Sequence, residues 1–198
     1  MGSGEAQKRK RVAILISGRG SNMAALIQAA QSPGYPAEIV FVLSNRTDAA
    51  GLGFAQQHGI ETLALSHKAF DKREAFDRAM HSALQVRGIE LVALAGFMRV
   101  LSPWFCQQWQ GRLINIHPSL LPAFKGLNTH RQALEAGVTE HGCTVHFVTA
   151  DLDDGDIVLQ APVPVLPSDN ETTLAARVLV QEHVIYAKAL AKVAAALI

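Results

Sequence analysis

Apolar residues recur along the chain in short unbroken runs: VAILI (12–16), EIVFVL (38–43), ETLAL (61–65), ELVALA (90–95) and RLINI (112–116). Their continuity, without alternating polar positions, is that of strands covered on both faces in a parallel sheet. The segments between them have helical spacing. In DKREAFDRAMHSALQVRG (71–88) the pairs Ala75/Phe76, Ala79/Met80 and Ala83/Leu84 repeat every fourth position, and Gly88 closes the helix. Strands alternating with such helices predict right-handed βαβ units.

The later chain changes character. CTVHFVTA (143–150) and DIVLQAPVPV (156–165) are separated only by DLDDG, too short for a parallel crossover, so an antiparallel pair is predicted. Pro162 and Pro164 place its second strand at a sheet edge. A long last helix is predicted from about SDNETTLAARV, where Ser168 and Glu171 have capping-box spacing. The expectation is one α/β, Rossmann-like domain over residues 11–198: a mainly parallel sheet, an antiparallel C-terminal strand pair and a long C-terminal helix. Residues 1–10, MGSGEAQKRK, read as a disordered leader.

Composition narrows the class. The 198 residues suffice for one domain with a sizeable core, and 49% hydrophobic against 18% charged residues is an ordinary globular balance. A net charge of +1 offers no general field for nucleic acid or an anionic membrane. No apolar run reaches the ~18 residues of a membrane span. Two cysteines, Cys106 and Cys143, point away from a disulfide framework and towards a reducing cytoplasm.

Two stretches suggest chemistry. In VAILISGRGSNMAALIQAA, Gly18 and Gly20 allow a tight turn between strand and helix, and Ser21 or Asn22 is placed to cap the helix. Amides at that terminus suit a phosphate. Met23 stands where a dinucleotide fingerprint needs a third glycine, no acidic residue ends the second strand, and the P-loop lysine is missing. Both of those families are therefore disfavoured. A ligand-free turn stays open as the other reading.

In LINIHPSLLPAFKG, Asn115 and His117 share one strand face, Ile116 points the other way, and Pro118 ends the strand. Ligands bind at the carboxyl edge of open α/β sheets, and an amide beside an imidazole suits an oxyanion. The alternative is a structural pair bonded to loop backbone. Of Asp151, Asp153, Asp154 and Asp156, spacing selects none. Alternation puts Cys143 and His146 on opposite faces, so no metal site is expected there. WFCQQW (104–109) reads as core or pocket wall.

NIHPSLLPAFKG, HFVTADLDDGDIVLQ and SGRGSN together resemble the formyltransferases that use 10-formyltetrahydrofolate, over about residues 12–189. The resemblance implies a purine-biosynthetic member, in which the amine of glycinamide ribonucleotide attacks the folate's formyl carbon. Asn115 and His117 would stabilise the oxyanion, and Asp153, the Asp of Leu-Asp-x-Gly, would pair with His117 and help relay a proton. Gly20, Ser21 and Asn22 would hold the ribonucleotide phosphate, and Glu182 the ribose hydroxyls, although its spacing alone reads as a surface charge. Arg73 and Arg112 match basic positions near the folate. Phe97, Met98, Arg99, Val100, Leu101 and Leu152 would line the pterin pocket; by themselves residues 96–101 are an apolar loop after the fourth strand. Leu121-Pro122 matches a cis-proline turn, and Asn128 stands where relatives often carry histidine.

The implied partners are two small molecules, the ribonucleotide and the formyl folate as co-substrate, with no metal, nucleic acid or membrane, in a monomer or homodimer. A formyltetrahydrofolate hydrolase shares the Asn/His/Asp triplet but usually carries an extra N-terminal domain and lacks the SGRGSN loop. Transfer to initiator tRNA would call for a basic C-terminal domain. A folate or nucleotide binder without turnover is the reading from another class.

Overall fold

The computed structural model describes residues 8–197. Seven strands form one sheet: β1 (Lys10–Ile16), β2 (Ala37–Ser44), β3 (Glu61–Ala64), β4 (Leu91–Leu94), β5 (Leu113–His117), β6 (Glu140–Phe147) and β7 (Ile157–Pro164). Their order is β3-β2-β1-β4-β5-β6-β7, parallel through β5 and antiparallel for β5–β6 and β6–β7. The α/β expectation holds, with β7 and its two prolines at the edge.

Side-chain parity divides the core into two layers. Val12, Ile14 and Ile16 of β1 pack with α1 (Ser21–Ala30) and with α6 (Glu171–Ala196). Ala13 and Leu15 face the other way, onto α3 (Arg73–Gln85) and α4 (Pro103–Gln108). Two shorter helices, α2 (Ala50–Gln57) and α5 (Thr129–Glu135), follow β2 and β5. The fully buried Tyr186 of α6 donates its hydroxyl to Leu94 O at 2.8 Å, tying the long helix to the middle of the sheet.

Three local expectations are corrected. Lys10 is the first residue of β1, and Arg9 donates to Ala37 O at 3.0 Å and also to Ala30 O, so the leader boundary at residue 10 is too late. Residues 1–7 of that leader lie outside the described residues. Helix α6 starts at Glu171, not with a Ser168 box: Asn170 and Thr173 cap each other's backbone N–H at 3.0 Å. Helix α1 has neither Ser21 nor Asn22 as its cap; Gly20, in the left-handed region at φ 75°, takes that position.

Candidate active site

Parallel strands β1, β4 and β5 deliver their carboxyl ends to one edge, and the order reverses between β1 and β4, the switch point of such sheets. Strand β5 ends there with Asn115 and His117. In the antiparallel ladder Asn115 pairs with His146 and His117 with Thr144, so four polar side chains share one face. Cys143 and Val145 point into the opposite core layer. Burial pushes the Cys143 thiol up to about 12, which makes it a poor nucleophile.

Asn115 Nδ2 lies 3.2 Å from His146 Nε2. Asp153 comes from the loop between β6 and β7: its Oδ2 lies 3.4 Å from His117 Nδ1, and its Oδ1 lies 3.6 Å from His146 Nε2. His117 Nε2 meets Phe124 O at 3.0 Å. The structure thus brings Asn115, His117 and Asp153 together, and of the four loop aspartates it selects Asp153. Asp154 instead pairs with Lys125 at the surface.

The backbone around His117 is strained at both contacts. Phe124 and Asp153 have φ of 55° and 49°, a region that non-glycine residues occupy at a cost of roughly 1 kcal/mol or more. The surrounding loop holds them in place. Gly126 N donates to Asp153 Oδ2 at 2.9 Å, Leu121 N to Thr144 Oγ1 at 3.0 Å, and Thr144 Oγ1 to Ser119 O at 2.7 Å. The Leu121–Pro122 peptide is cis, as the resemblance implies. Gly155 is required for a separate reason: a Cβ there would sit 1.8 Å from Phe147 O. The Asp154-Gly155 pair therefore serves close backbone approach.

His146 is a fourth member of this cluster, one that sequence reasoning did not place there. It is 2% exposed, and desolvation holds its imidazole below the ordinary histidine range. Its signal was the register of β5 on β6, which local spacing does not reveal.

On the other side of the edge, the glycine turn lies over α1. Ser21 is exposed, whereas Asn22 is buried and donates from Nδ2 to Glu182 Oε2 at 2.6 Å. Glu182, expected from spacing to be a surface charge, is 8% exposed, and burial raises its pKa while the Asn22 hydrogen bond opposes the shift. The helical face of α6 that carries Tyr186 and Val178 turns Glu182 inward.

Residues 97–101 form a loop after β4. Phe97 and Leu101 are buried, while Met98 and Val100 stand 66% and 57% exposed, as does Leu152 at 58%. Arg99 lies with its guanidinium carbon 5.4 Å from the Phe76 ring centre, and Arg73 is the exposed first residue of α3. Arg112 is a correction: it precedes β5, at the sheet's amino edge, where it stacks 4.8 Å over Trp109 and bonds Gln108 O. Asn128 has φ 57° and caps α5 without a side-chain bond. A cavity of about 360 Å³ opens between the glycine turn and the 97–101 loop, lined by Ser17, Gly18, Asn45, Met98 and Arg99 among others. Among the described residues, no group of three or more His, Cys, Asp or Glu could hold a metal, and no helix is long and apolar enough to cross a membrane.

The formyl transferase family profile matches residues 10–190. Phosphoribosylglycinamide formyltransferase of Escherichia coli K12 is 51% identical over 175 residues, covering 88% of this chain and 82% of that protein. The trifunctional purine biosynthetic protein adenosine-3 of Homo sapiens is 51% identical over 188 residues, 95% of this chain but only 19% of that protein. The chain thus spans 14% to 19% of the length of such trifunctional relatives. The crystal structure of phosphoribosylglycinamide formyltransferase from Brucella melitensis superposes with a TM-score of 0.91 at 53% identity, covering 96% of this chain and 98% of that one. On its sequence and its fold, the chain belongs to the formyl transferase family.

Proposed function

We propose that the chain is an enzyme transferring the formyl group of 10-formyltetrahydrofolate to the amine of glycinamide ribonucleotide, giving formylglycinamide ribonucleotide and tetrahydrofolate. The observation that carries this reading is the meeting of Asn115, His117 and Asp153 at the carboxyl end of β5. It is supported by relatives of that name at 51% and 53% identity over nearly the whole chain.

The amine nitrogen attacks the formyl carbon, and the carbonyl oxygen becomes an oxyanion beside Asn115 and His117. With one Asn115 N–H turned to His146, the other is free to donate to that oxyanion, and a donor of this kind is worth roughly 3–4 kcal/mol. Asp153 Oδ2 faces His117 Nδ1 and orients the imidazole beside the developing negative charge. The attacking amine loses a proton, which passes through Asp153 and water to the departing folate nitrogen. The carbon–N10 bond then breaks.

Gly20, Ser21 and the Asn22 backbone bind the ribonucleotide phosphate at the start of α1, and Glu182 accepts from the ribose hydroxyls. Residues 97–101 and Leu152 form the folate wall, with Arg99 and Arg73 as its basic groups. Arg112 has no part in it, and no metal enters the scheme. The free thiols Cys106 and Cys143 suit a reducing compartment, and we place the reaction in the cytoplasm.

The test mixes protein, formyl folate and glycinamide ribonucleotide and follows folate absorbance. Tetrahydrofolate release that requires the ribonucleotide supports transfer. Release without it identifies a hydrolase, and binding without release identifies a non-catalytic binder.

A further inference from the structure

We propose that Ser17 is a positioning residue that couples the two substrate loops, so that ribonucleotide and folate tighten each other's binding. This rests on the assignments above: the glycine turn to the phosphate and residues 97–101 to the folate.

Ser17 is the residue from which the glycine turn departs, and it is 6% exposed. Its backbone N–H donates to Gly96 O at 3.1 Å, and its Oγ accepts from Met98 N at 2.8 Å. The same hydroxyl donates to Asn45 Oδ1 at 2.6 Å. Asn45 is 3% exposed and its carbonyl oxygen lies 3.1 Å from His67 Nδ1, on the 3-10 turn after β3. One buried serine thus joins the end of β1, the end of β2 and the first half of the folate loop.

The folate loop is anchored in the core by Phe97 and Leu101, but the backbone between them has little else to hold it. Met98 and Val100 project into solvent, so their side chains bury little surface that would fix the backbone. Its far end is tied separately, by Ser102 N donating to Asp77 Oδ2 at 2.7 Å. At the near end, beside the buried Phe97, the Ser17 hydroxyl holds Met98 N. Gly18 and Met98 also line the same cavity, so both loops border one space.

A phosphate bound by the glycine turn restrains the residue at its root. That restraint passes through the hydroxyl to Met98 N and removes freedom that the folate would otherwise have to remove itself. Linkage makes the effect reciprocal: each ligand must strengthen the other by the same factor. The hydroxyl is well suited to the task because it accepts from one loop while donating to a buried amide. Alanine at this position would leave Met98 N and Asn45 Oδ1 without that partner.

Calorimetry on the whole chain tests this with glycinamide ribonucleotide and tetrahydrofolate, each titrated alone and against protein saturated with the other. The unaltered protein is expected to show mutual tightening of at least about fivefold, equal in both directions. In Ser17→Ala the factor should fall below about twofold, while each ligand alone shifts by less than about threefold. Asn45→Ala removes the acceptor that orients the hydroxyl and should lower the factor in the same way, so it serves if Ser17→Ala does not fold. A thermal melt distinguishes loss of coupling from loss of fold. Independent binding in the unaltered protein, or full coupling retained in Ser17→Ala, would overturn the inference while leaving formyl transfer intact. If neither ligand binds the unaltered protein, the substrate assignment is wrong and the coupling falls with it.

Discussion

Asn115 Nδ2 and His146 Nε2 face each other at 3.2 Å across the β5–β6 ladder. His146 Nδ1 lies 2.9 Å from Phe147 O, so a neutral ring that donates there keeps Nε2 as an acceptor for the Asn115 amide. The depressed basicity of the buried ring favours that neutral form. His146 therefore fixes which way Asn115 points. Replacing it by phenylalanine should lower kcat about tenfold, near 1.4 kcal/mol, with folate affinity unchanged. Steady-state kinetics check this, and a kcat equal to that of the parent would detach His146 from the site.

Asp153→Asn keeps an oxygen for Gly126 N but removes the charge facing His117. Its kcat is expected to drop by roughly 10²–10⁴, the range of acid–base assistance, while folate binding moves little. Single-turnover rates beside equilibrium titration separate the two effects. Parental turnover in this variant would remove Asp153 from proton transfer.

Glu182 has a raised folded pKa, so the native state favours its protonated form more than the unfolded chain does. Its contribution to stability is present below the ordinary value of 4.5 and is lost as pH rises through the folded value. Glu182→Gln removes this penalty. Its melting temperature relative to the parent should therefore climb as pH increases from 4.5 towards neutrality. Ribonucleotide affinity should fall roughly 10–100-fold, the value of a charged hydrogen bond. A gain in stability without a loss of affinity would separate Glu182 from the ribose.

His141 has the opposite sign. Burial first, and then the neighbouring His130 ring, push its pKa down to about 4, and its Nε2 lies 3.2 Å from His130 Nδ1. Between pH 4 and 6.5 the unfolded chain binds more protons than the folded one, so stability falls as pH drops through that window. The whole effect is at most about 3 kcal/mol. His141→Phe should flatten this slope in urea melts taken across the window. An unchanged slope would assign the acid sensitivity to other groups.

The sheet and its helices were legible because their signals are local. Continuous apolar runs such as VAILI, the fourfold spacing of Phe76, Met80 and Leu84, and the two prolines of β7 each report the environment of their own segment. Asn115 and His117 were legible as a pair for the same reason, since strand alternation puts residues two apart on one face. Capping was less so. Asn170 serves where Ser168 was expected, because three adjacent polar residues offered the same chemistry and packing chose among them.

The chain by itself determined an α/β sheet, a polar pair at one strand end, a glycine turn at another, and enough motif to name a family. The pairing of Asp153 with His117, which spacing left open and the resemblance implied, is met in the fold. Only the tertiary structure decided that His146 orients Asn115, that Glu182 is buried, and that Arg112 belongs to the far edge of the sheet. These contacts join segments as far apart as the 160 positions between Asn22 and Glu182. Periodicity reports which face a side chain takes, but register and strand order decide whom it meets.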